Sequence, residues 1–189
     1  MDIVGLSKKL MKERTKKNRS PVCKLTEIAI RKGKELSKKY DVDEKLVLTS
    51  LYLAHAVFSP VWKDDIQRNH EKLSSDSIKT YLDRWKVSRE DQEIIINSIE
   101  AHHNKIPAKS RIAEVVKNAE CFKFVTLEGS RIFFKDLVEN RNISRNDAID
   151  MVIEKMEQKR KLLTFEDCKK EAEKNCKEIL GIFNIMKRF

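Results

Sequence analysis

A chain of 189 residues is long enough for one domain, or one domain with an extension, to bury its own core without help from disulfides or metals. Four glycines and three prolines against 37% charged residues exclude an all-β sandwich, because the residues that punctuate strands and tight turns are scarce. The formal charge of +10 points to an anionic partner, and half of that excess sits in residues 1–20, where Lys8, Lys9, Lys12, Arg14, Lys16, Lys17 and Arg19 face only Asp2 and Glu13.

In chain order, that basic segment suits either a weak nucleic-acid contact by counterion release, without aromatic side chains for stacking bases, or a solvated helix. Pro21 opens a helix whose Leu25, Ile28, Ala29 and Leu36 share one face, ending near Tyr40 and Asp41. From Asp43 onward Leu46, Val47, Leu48, Leu51, Leu53, Ala54, Val57 and Phe58 are apolar nearly all round. This pattern predicts a buried central helix that contains His55 and is stopped by Ser59 and Pro60. Val61 to His70 is polar, anchored by Trp62 and Ile66, and reads as a loop or a short helix. Ser74 or Ser75 is the expected cap of a helix carrying Ile78, Tyr81, Leu82 and Trp85. Ser88 with Asp91 caps the next, which carries Ile94, Ile95, Ile96 and Ile99 and ends in Ala101, His102 and His103. After a stop from Asn104 to Pro107, a helix through Ile112, Val115, Val116, Ala119, Phe122 and Val125, reaching Phe134 at its longest, holds Glu120 in its middle. Ser144 with Asp147 and Thr164 with Asp167 start the last two helices, the second running to about Met186. On it Cys168, Ala172 and Cys176 recur every four residues and read as reduced thiols on an apolar face; Cys23 and Cys121 complete a set with no CxxC pair. The expected architecture is an all-α bundle of seven to nine helices: a basic segment at 1–20, a helical domain at 21–143, and C-terminal helices at 144–189 packing on the same body.

The glycines, Gly5, Gly33, Gly129 and Gly181, are too dispersed for a phosphate-cradling loop or a GxSxG elbow. No run of about 18 apolar residues and no signal-peptide stretch is present, so the expectation is a cytoplasmic protein with no membrane partner. The four histidines, His55, His70, His102 and His103, all fall within 49 residues. Imidazole is the commonest nitrogen ligand for transition metals and titrates near neutrality, so such a cluster suits a metal or acid/base site. The plainer reading makes His55 a core residue on an apolar helix and His102 and His103 a polar helix end favoured by the dipole. On a continuing helix His103 points about 100° away from His102, so both face one ion only where the helix has ended, and His102 is preferred as the ligand.

The order of these stretches resembles the HD-domain superfamily of metal-dependent phosphohydrolases. Leu51 to Ala56 is similar to the family's apolar run into a His-Asp pair; His70 and Glu71, with Leu73 and Ser74, are similar to an intermediate histidine, and Ile99 to His103 to the next. Val116 to Glu120 is similar to the Ala-Asp that carries the last ligand, with Gly129 beyond it where one small-hydrolase branch also has glycine. The resemblance spans residues 22–135, about 60% of the chain. It implies an HD-like helical bundle in which His55, His70, His102 and Glu120 hold a divalent Mn, Fe, Co or Ni ion. The implied activity is hydrolysis of a nucleotide or small phosphorylated metabolite, with neighbouring lysines taking the phosphate charge. Three positions depart from the pattern. Ala56 and Glu120 stand where the family has Asp, and Pro21 to Lys24, where the first His belongs, offers only Cys23 for coordination. Glu120 still presents a carboxylate; Ala56 presents nothing, which leaves Asp64 or Asp65 as nearby replacements. The same resemblance therefore also supports a catalytically inactive HD-like module that binds a nucleotide, a nucleic acid or a protein partner.

Overall fold

Hydrophobicity on every side sends one helix to the middle of this protein. The computed structural model describes residues 1–18, 22–57, 64–103 and 106–188, without the side chains of Asn18 and residues 64–68. Within them the chain is all-α: nine α-helices and a π-helical turn, with no strand among the described residues. The helices are α1 (Ile3–Asn18), α2 (Cys23–Lys39), α3 (Glu44–Leu53), α4 (Asp64–Arg84), α5 (Arg89–Ala101), α6 (Arg111–Phe122), α7 (Leu127–Lys135), α8 (Arg145–Leu162) and α9 (Glu166–Met186), and the π turn spans Asp136–Asn140. No helix among the described residues is long and apolar enough to cross a membrane.

Every residue of α3 from Leu46 to Leu53 is buried, and α1, α2, α4, α5 and α6 all pack against it. Its faces divide the core in two. Val47, Leu48, Leu51 and Tyr52 join a large cluster built with α2, α6, α8 and α9, while Leu46 and Leu53 join Ile78, Leu82, Ile95 and Ile99 of α4 and α5. Each fully buried leucine contributes about 1.5–3 kcal/mol, so eight consecutive buried positions anchor the bundle on this short rod. Within the basic segment, Ile3–Asn18 form helix α1, laid along α3 with Leu10 in the smaller cluster and Met11 in the larger, while Arg19 lies outside the described residues. Its Lys8, Lys9, Lys12, Lys16 and Lys17 face solvent.

Several boundaries differ from the sequence expectation. His55 does not lie inside the central helix: α3 ends at Leu53, the Ala56 N–H bonds the Leu53 carbonyl three residues back at 3.1 Å, and His55 sits on the turn so formed. Ser74 and Ser75 do not start a helix but lie within α4, both fully buried. The Ser75 hydroxyl donates sideways to Glu100 of α5 at 2.7 Å and is not available as a cap. The helix of residues 112–134 is two helices. The Thr126 side chain accepts from Gly129 N–H and starts α7 afresh after a turn at residues 123–126. Thr164 does not cap α9, which begins after Phe165 with no side-chain cap of its own. The Ser88 and Ser144 caps stand as read, accepting from the Asp91 and Asp147 N–H groups. On α9, Cys168, Ala172 and Cys176 face the core, and all four thiols are free. Pro21, Phe58, Ser59, Pro60, Trp62 and Asn104, and the side chains of Asp64, Asp65 and Ile66, lie outside the described residues.

Candidate metal centre

Two helix ends and one helix side bring the imidazoles together. His55 follows the C-terminus of α3, His102 is the C-cap of α5, His103 follows it, and His70 is on the buried flank of α4. The ring of His55 lies 5.4 Å from that of His70 and 5.2 Å from that of His102, and His70 and His102 are 5.4 Å apart. One donor atom from each of these three lies within 4.8 Å of the others. A second group, His70, Glu71 and His103, meets the same criterion and shares His70 with the first. Because α5 ends at Ala101, His103 is freed from helical geometry. Its ring reaches 4.8 Å from that of His70, and its Nδ1 lies 3.2 Å from Glu71 Oε1.

His102 carries the clearest chemical information. Its Nδ1–H donates to the Ile99 carbonyl at 2.5 Å, which fixes the tautomer and leaves the lone pair on Nε2. That Nε2 is buried and has no hydrogen-bond partner among the described residues. Burial, with the neighbouring His55, holds the His102 pKa well below its usual value, so the ring is a neutral base. Burial first, and the Lys123 ammonium second, also lower His55, to about 4. A packed core histidine would use both nitrogens; an orphaned buried acceptor costs about 1–3 kcal/mol. Neutral imidazoles with a lone pair directed by a backbone hydrogen bond are a donor set suited to a transition-metal cation, so the residues present fit the metal that the resemblance implies.

Glu120 lies outside both donor groups. Its Oε2 accepts from Lys123 Nζ at 2.5 Å and from His55 Nε2 at 2.9 Å, while Oε1 is buried without a hydrogen-bond partner among the described residues. Burial raises its pKa, but the Lys123 charge and His55 outweigh that effect and hold it well below the carboxylate range. Glu120 thus stands as an ionised group orienting His55. Ala56 is buried among Leu53, Ile78 and Ile95 and brings no polar atom. The oxygen donor at the cluster comes instead from Glu71, 4% exposed, which sequence reasoning placed in the motif without a role. Cys23 is not part of the centre: its Sγ lies 3.5 Å from Thr15 Oγ1 and bridges α2 to α1.

Beside the histidines lies a group of lysines that the sequence did not bring together. Lys123, Lys155 and Lys159 place their ammonium nitrogens 5.3, 5.6 and 5.9 Å from the centroid of the Phe124 ring. Burial pulls Lys155 down to about 8 and lowers Lys159 as well. The i, i+4 spacing of Lys155 and Lys159 was legible as one helical face, and Lys123 follows Glu120 by three residues, yet neither spacing tells which neighbour the face meets. Searches of family models, curated proteins and solved structures find no match to this chain.

Proposed function

We propose that this protein is an HD-like, metal-dependent phosphohydrolase acting on a nucleotide or another small phosphorylated metabolite. The observation that carries the reading is the convergence of His55, His70 and His102 with a buried, unpaired lone pair on His102 Nε2. His55, His70 and His102 would hold one divalent ion of the Mn, Fe, Co or Ni type, and Glu71 with His103 offers donors for a second through His70. A bound cation of this kind supplies Lewis acidity toward a phosphoryl oxygen and toward water. The chain's own residues do the rest. The Ile99 carbonyl fixes the His102 tautomer, Glu120 orients His55, and the Lys123 ammonium adds positive charge next to the centre.

The test uses the purified full chain: metal content by elemental analysis, then phosphate release from a nucleotide panel with added Mn, Co or Ni. The expected result is bound metal near stoichiometric, with His102→Ala losing the metal and cutting release by more than about a hundredfold while circular dichroism stays helical. Absence of both metal and turnover in the parent chain overturns the proposal. One observation favours a second reading, an inactive HD-like module that binds a nucleotide, nucleic acid or protein. Ala56 sits in an apolar cluster where a carboxylate would help activate water. Nucleotide binding without turnover in the same panel selects that reading.

A further inference from the structure

This protein shows how it treats a buried lysine that serves only structure. Lys32, 5% exposed, donates to Glu35 and Glu171 at 2.8 Å each and lies 4.1 Å from the Phe122 ring centroid, so its charge is matched from two sides. Lys159 is treated differently. It is 1% exposed, yet it makes no hydrogen bond or ion pair with any described residue; its Nζ lies 5.9 Å from the Phe124 ring centroid, and the Glu120 and Glu71 carboxylates act on it only at longer range. Lys155, four residues earlier on α8 and partly exposed, likewise has no hydrogen bond or ion pair with a described residue and lies over the same ring, 5.6 Å from its centroid. An aromatic quadrupole offsets only part of the cost of removing an ammonium from water, and here three ammoniums share one ring. Lys123 is paired with Glu120, which leaves Lys155 and Lys159 as two ammoniums without an ion-pair partner among the described residues.

We propose that Lys155 and Lys159, with Lys123 as the link to the histidine cluster, form a subsite for a phosphoryl dianion built on the face of Phe124. The charge count selects the ligand. A monoanion leaves one ammonium unmatched, whereas a phosphate or the terminal phosphate of a monoester supplies two charges and three acceptor oxygens. Phe124 and Lys155 retain partial exposure, so the anion has a side open to solvent while Lys159 lies beneath. Lys123 Nζ lies 5.3 Å from the Phe124 ring centroid and 3.3 Å from His55 Nε2, which places this subsite next to the candidate metal centre. Both lysines are on α8, outside the stretch that carries the HD-like pattern, and the inference rests on the phosphohydrolase reading only for the anion's role in turnover.

The experiment measures thermal unfolding of the metal-stripped full chain with inorganic phosphate, with a nucleoside monophosphate, and with chloride at equal ionic strength. Phosphate at about a hundredfold excess over Kd is expected to raise Tm by roughly 5 °C, and chloride to leave it unchanged. A shift with the monophosphate alone marks an ester phosphate as the ligand; a shift with inorganic phosphate as well marks the dianion itself. Lys155→Gln is expected to weaken phosphate binding about tenfold. Lys159→Met is expected to abolish the shift while raising Tm without phosphate, since an unmatched buried charge is replaced by an apolar side chain of similar volume. Equal shifts from phosphate and chloride, or shifts that survive both substitutions, overturn the proposal. His102→Ala separates the two readings. A phosphate shift that persists when metal is lost upholds the lysine subsite independently of the metal centre, whereas metal binding without a lysine-dependent phosphate shift sinks this inference and leaves the metal reading standing.

Discussion

At Gly129 a missing side chain decides where a lysine of the candidate site can stand. A Cβ built there would lie 1.7 Å from the Lys123 carbonyl oxygen and 3.0 Å from Thr126 Oγ1. The obstructing atom is backbone, so it cannot swing aside, and displacing it would shift the residue whose ammonium donates to Glu120 beside His55. Gly129→Ala is therefore expected to cost about 2–3 kcal/mol, read as a lower denaturation midpoint with unchanged m-value. Gly181 is the internal control. A methyl group added there, on the exposed side of α9, would meet nothing within 4 Å, so Gly181→Ala should stabilise by about 0.5–1 kcal/mol. A midpoint unmoved by Gly129→Ala would show that the Lys123 turn yields more easily than its packing indicates. From sequence, both positions read alike as isolated glycines, since the atom a glycine spares belongs to another segment.

At the scale of the helix, local signals were readable and borrowed ones were not. Ser88 and Ser144 cap their own helices through a bond to a residue three positions on, a geometry that sequence spacing encodes. The start of α9 is held from a distance. Asn118 of α6, fully buried, accepts from the Thr164 and Phe165 N–H groups at 2.9 and 3.2 Å and donates to Thr164 Oγ1 and the Glu114 carbonyl. Asn118→Ala would strand two backbone donors in the interior. It is expected to cost about 2–3 kcal/mol and to speed amide hydrogen exchange at the beginning of α9, with the Ser88-capped end of α5 unaffected. Uniform acceleration across both helices would show global loss of stability in place of a lost cap. Likewise, nothing in the spacing of Ser74 and Ser75 revealed that a partner on α5 would claim the Ser75 hydroxyl and leave α4 unbroken.

Across the whole molecule, buried titratable groups make stability depend on pH in opposing ways. Lys155 has its pKa depressed in the fold, so between about 8 and 10.5 the unfolded chain binds more protons, and this group makes stability rise with pH. Burial raises Cys168 and Tyr40 to about 12 and Cys176 to about 11, and these make stability fall as pH climbs above about 9. The difference between the parent chain and Lys155→Met isolates the lysine together with its repulsion from Lys159 and Lys123, because groups not coupled to it, such as Tyr40, cancel. The substituted chain is expected to be the more stable at pH 7, by at most about 3 kcal/mol before discounting for solvent screening, with the gap closing by pH 10.5. A gap independent of pH would mean that Lys155 is ionised in both states across this range.

The all-α class, the central position of α3, the apolar face of α9 and the interest of the histidines are all properties of the sequence itself. They depend on periodicity and composition along one strand of chain, where hydrophobic burial acts residue by residue. Which histidines meet was decided only in three dimensions. The turn after Leu53, the end of α5 at Ala101 and the unbroken run of α4 aim His55, His102 and His70 at one another, and no spacing along the chain encodes the angles between helices. The same is true of Glu71 as the carboxylate near the cluster and of α8 bringing Lys155 and Lys159 to Phe124. Contacts between residues distant in sequence are set by how side chains pack across helix faces, and that packing exists only once the bundle has closed.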